Sequence, residues 1–70
     1  MTNLYPPEIA DLDQKYQKEP TIQNELALEK AKLKLYREQL KESPGDKELQ
    51  YRVRFHEGEV VRLEAELKIA

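Results

Sequence analysis

Apolar residues recur along this chain at spacings of three and four, and two long stretches carry that rhythm. In the second, Leu49, Val53, His56, Val60, Leu63, Leu67 and Ala70 alternate strictly by four and three. That spacing puts one stripe on a helix and predicts coiled-coil-like packing for residues 47–69. In the first, over 21–43, Ile22, Leu26, Leu33, Tyr36 and Leu40 share a face, and Glu29 is the one charged residue within it. Thr21 is placed to cap this helix, beside Pro20 and Asn24. Ser43-Pro44-Gly45-Asp46 then breaks the pattern. Pro44 cannot continue a helix without losing a hydrogen bond, and Ser43 or Asp46 is available to cap the next one.

The two stripes fit each other. If the chain folds back at 44–45, Leu40 meets Leu49, Tyr36 meets Val53, Leu33 meets His56, Leu26 meets Leu63 and Ile22 meets Leu67. Every pair has the same index sum, as an antiparallel hairpin requires. The flanking charges support the same register. Lys30 and Arg37 fall on the edge that carries Glu57 and Glu64, and on the other edge Lys32 approaches Glu59. One mismatch remains there, because Glu25 and Glu66 come close together.

Residues 1–20 form a separate piece. Asn3-Leu4-Tyr5-Pro6-Pro7 is expected to be extended, since a residue before proline is pushed out of the α region. Pro7 suits the first position of a short helix over about 7–18, with Ile9, Leu12 and Tyr16 on one side. The segment Leu4-Tyr5-Pro6-Pro7-Glu8-Ile9 resembles the LYPxL-type peptides that dock to ESCRT adaptors, with Ile9 where leucine is usual. That likeness implies an arm that binds another chain.

A hairpin uses one apolar stripe per helix, and each of these helices has two. Opposite the seam, the first helix carries Leu28, Ala31 and Leu35; the second carries Tyr51, Phe55, Gly58, Ala65 and Ile69, with Val61 at the margin. Within one hairpin these outer stripes point away from each other. The N-terminal helix can cover one, so the other calls for a second chain. Gly58 sharpens the point, because glycine inside a helix costs about 1 kcal/mol relative to alanine. Its spacing from Ala65 suits close approach by another helix. The expected fold is therefore all-α: a hairpin over 21–70 with an N-terminal arm and helix over 1–20, dimerising into a four-helix bundle.

Composition narrows the function without naming it. Lys and Arg number 12 against 14 Asp and Glu, for a net charge of −2. Such a balance gives no general attraction to nucleic acid or anionic lipid. The apolar runs are too short for a membrane span or signal-peptide core, so a cytoplasmic location is expected. The chain has no cysteine and one histidine. A disulfide framework and a thiolate metal site are excluded, and a small chain without either leans on regular helix packing or association.

His56 lies on the seam, and Glu29 is one layer away on the facing stripe. A buried pair of this kind specifies register, as a lone polar residue does in a coiled coil, and makes stability sensitive to pH near neutrality. No residues are grouped for catalysis, metal or cofactor binding, so the chain is expected not to be an enzyme. Lys30, Lys34, Arg37 and Lys41 form a basic line that keeps a nucleic-acid-binding regulator as one alternative. Another is a subunit or small co-chaperone of a larger assembly. The outline helix–Ser43-Pro44-Gly45-Asp46–helix is similar to small hairpin parts of type III secretion systems, although Gly45-Asp46 replaces the second half of their Pro-Ser-x-Pro-like turn. The reading these features favour is a protein–protein interaction module, an adaptor, inhibitor or regulator, working as a homodimer.

Overall fold

The protein was analysed as a computed structural model that describes residues 6–69. Three helices follow one another: α1 (Pro7–Lys18), α2 (Ile22–Glu42) and α3 (Lys47–Ile69), with no strands among the described residues. The end residues explain each boundary. Pro7 opens α1 in the position where its missing N–H goes unused. Thr21 accepts a hydrogen bond from the Asn24 backbone N–H at 3.2 Å, and the Asn24 side chain donates to the Glu19 carbonyl at 2.8 Å. Of the two candidate caps in the turn, Asp46 does the work. Its Oδ1 accepts from the N–H groups of Glu48 and Leu49 at 3.0 and 3.1 Å. Gly45 has an ordinary negative φ, so the turn owes nothing to left-handed backbone.

The α2–α3 hairpin has the expected seam. Leu33, Tyr36 and Val53 form its central core, with Leu40, Leu49 and Val60 packed against them, and Leu63 is fully buried further along. Arg37 reaches Glu57 at 2.8 Å and Lys30 reaches Glu64 at 3.5 Å across one edge. The opposite edge brings in a residue that the charge pattern did not single out. Lys32 lies 4.0 Å from Glu29 on its own helix, and Arg62 binds Glu59. Arg62 also relieves the Glu25/Glu66 approach, lying 3.7 Å from Glu25 and 3.0 Å from Glu66. Its position between three carboxylates raises its already high pKa further, the Glu59 hydrogen bonds contributing most.

α1 packs on α2 alone and makes no backbone-level contact with α3 among the described residues. The short link at 19–21 returns it antiparallel along the outer side of α2. Pro6 and Ile9 share a small cavity of about 160 Å³ with Ala31 and Leu35. Ile9 is buried there, and Leu12 and Tyr16 are half-buried. With α2 in the middle, the molecule is a slab of 38 × 31 × 13 Å. Its radius of gyration, 13.0 Å, exceeds the roughly 11 Å of a compact chain this size. No described helix is long and apolar enough to cross a membrane.

Candidate docking face on α3

The slab decides which outer stripe is left open. On α2, Leu28 is buried and Ala31 and Leu35 are half-buried. One outer stripe was expected to be covered by the N-terminal helix, and it is this one: the element on its side is α1. On α3 nothing among the described residues lies across the outer stripe. Tyr51 is 67% exposed, Phe55 50%, Val61 66% and Ile69 86%. Gly58 and Ala65 are exposed between them, and a Cβ built on Gly58 meets no atom within 4 Å. The close approach that Gly58 allows is therefore unused among the described residues.

Arg62 also belongs to this face, which the apolar count alone did not reveal. Tyr51, Phe55, Gly58, Arg62, Ala65 and Ile69 follow one another by four, three, four, three and four. That is a second heptad seam, on the side of α3 opposite the first. The Arg62 guanidinium leans toward the edge, donating from Nε and Nη2 to Glu59 at 3.2 and 3.1 Å and from Nη1 to Glu66 at 3.0 Å. That hydrogen bonding holds the Glu59 carboxyl below the usual carboxylate range. The stem of Arg62 stays on the stripe as apolar surface.

The aromatic pair is anchored from beneath. His56 Nδ1 lies 3.1 Å from Glu29 Oε1, and both side chains are nearly buried. With Glu29 ionised, Nδ1 carries the proton and donates it. The Tyr36 ring stacks on the His56 ring at 5.3 Å, and the Arg52 guanidinium lies 5.4 Å from the Tyr36 centroid. On the other side Phe55 meets His56 edge-on at 5.2 Å and stacks with Tyr51 at 6.4 Å. A continuous ring contact thus runs from the buried pair to the exposed face, holding Phe55 in place.

The basic line is partly engaged. Lys30 and Arg37 are bridged to Glu64 and Glu57, while Lys34 and Lys41 border an open groove of about 550 Å³ above Leu33 and Val60. No three potential metal ligands gather among the described residues. Tyr5 and the residues before it, which include the first two of the six LYPxL-like positions, lie outside the described residues, as does Ala70.

No family model, curated protein or solved structure matches the chain. Function is therefore argued from the geometry.

Proposed function

We propose that this chain is a small, non-enzymatic protein–protein interaction module that self-associates through the outer face of α3. One observation carries the reading. Among the described residues, the four large apolar side chains left exposed all lie on α3, whereas the corresponding stripe of α2 is covered. Exposed aromatics held firmly in place are what interface anchors are made of, because little side-chain freedom remains to be lost on binding. The α1 helix alters the expected assembly. A bare hairpin offers outer stripes on both helices, but here α1 covers that of α2 and, among the described residues, the free edge of the slab is the open one. Four helices, α2, α3 and their copies, then come together as a layer rather than as a closed four-helix bundle.

Light scattering on eluting wild-type protein and on Phe55→Asp tests this. Phe55 is half-exposed, so the variant keeps its helical circular dichroism while placing a charge on the face. The expected result is a mass between one and two chains for the wild type, rising with load, and a single chain for Phe55→Asp. Equal masses for both proteins at every load overturn the proposal.

A further inference from the structure

The second heptad seam has a size pattern that selects one partner geometry. Read from Tyr51 to Ile69, its residues are large, large, glycine, arginine, alanine, large. Laid antiparallel on itself so that all six positions are used, Tyr51 faces Ile69, Phe55 faces Ala65 and Gly58 faces Arg62. Large then meets small in the two inner layers. Sliding by one heptad toward the turn sets Ala65 opposite Glu48 and Ile69 opposite Pro44, which takes both off the apolar seam. From these observations we infer that a second copy of this chain docks α3 against α3 in that antiparallel register, with the Arg62 stem seated over Gly58 of the second copy. The inference rests on the self-association reading and adds its geometry.

Three observations support it. First, Gly58 has open space where a Cβ would stand. No neighbour among the described residues fills that space, and in this register it makes room for the longest side chain of the seam. Second, one flanking pair is favourable. In an antiparallel pair related by a two-fold axis, like flanks face each other, so Val61 approaches Val61 of the second copy and Arg52 comes opposite Glu66, twice. The adverse approaches are Glu59 toward Glu59 of the second copy, each already held by its own Arg62, and Arg54 toward Lys68 at an exposed rim where screening is strong. Third, the area suffices. Side chains of about 200 Å² that are 67% and 50% exposed leave roughly 230 Å² at Tyr51 and Phe55 in each copy. Val61 and Ile69 roughly double that, which brings two copies to about 1,000 Å², the lower limit for a specific interface. A weak, reversible dimer follows.

The chain has no native cysteine, so introduced thiols report without background. The test is the double variant Tyr51→Cys/Ile69→Cys, held in a glutathione redox buffer and read on a non-reducing denaturing gel. Both positions are exposed, and both leave Phe55, Gly58 and Arg62 intact. Along one helix the two thiols are about 27 Å apart, so they cannot close on each other. The expected result is a covalent dimer for the double variant and none for either single variant. A companion variant, Gly58→Leu, fills the place of the Arg62 stem and weakens the dimer by roughly tenfold or more in light scattering. Single variants that cross-link to themselves indicate a parallel pair and overturn the register while self-association stands. A dimer by light scattering without cross-links overturns the choice of face. A monomer under all conditions overturns both readings.

Discussion

The Glu29–His56 pair offers a quantitative test of how the hairpin holds its register. Both side chains are close to 90% removed from water, at 11% and 12% exposure, and face each other at 3.1 Å. His56→Leu deletes the partner of a buried carboxylate and leaves Glu29 facing Lys32 at 4.0 Å. Breaking a buried pair from one side costs about 3–5 kcal/mol. The Lys32 approach and the residual exposure reduce that to about 2 kcal/mol here. For a chain of this length such a loss lowers the melting temperature by about 8–16 °C. Glu29→Leu leaves one ring nitrogen of a nearly buried histidine without its partner, so about 1 kcal/mol is expected. The double variant Glu29→Leu/His56→Leu removes both polar groups from a seam otherwise built of apolar layers. It should return to within about 1 kcal/mol of wild type, since such replacements are often neutral or stabilising. Urea unfolding followed at 222 nm measures all four proteins, with the slope checked for constancy. If His56→Leu matches wild type, or if the two single losses simply add in the double variant, the pair is not coupled and the reasoning fails.

Other predictions follow from single contacts. Asp46→Ala removes the acceptor for two N–H groups and should destabilise by about 1 kcal/mol in urea unfolding, whereas Gly45→Ala should be near neutral, having ordinary φ and open space. Ile9→Ala should cost about 2–4 kcal/mol in the docking of α1 and raise amide exchange through 7–18 first, with α3 the least affected. Because the Arg62 hydrogen bond lowers the folded-state pKa of Glu59, its contribution is present above the ordinary glutamate range and lost as pH falls through the depressed value. Wild type and Glu59→Gln should accordingly differ in stability at neutral pH and converge on acidification. Gly58→Ala at high dilution should raise stability by about 1 kcal/mol, since the added methyl meets nothing within the chain.

Much of this architecture is written in local chemistry. Thr21, Pro7 and Asp46 mark helix starts because backbone N–H groups at those points need an acceptor or, at Pro7, no partner at all. The hairpin register was legible because two independent patterns, apolar spacing and edge charge, agree on one pairing. The destination of α1 was not. Its stripe of Ile9, Leu12 and Tyr16 is equally suited to either outer face, and periodicity within one helix says nothing about which neighbour receives it. The three residues linking α1 to α2 were the available signal, since so short a link favours antiparallel packing on the adjacent helix. Arg62 was missed for a different reason. Counting only apolar residues passes over an arginine whose stem lies on a stripe while its charge is held at the edge by Glu59 and Glu66.

The open face of α3 is the centre of the account, and mass in solution interrogates it most directly. Sedimentation equilibrium of the wild type from about 1 µM to 1 mM spans association energies of roughly 8 to 4 kcal/mol. The mass should rise across that range from 8.3 kDa toward twice that value. Gly58→Leu should stay near the single-chain mass over most of it. A wild-type mass fixed at 8.3 kDa up to the highest concentration would contradict the account.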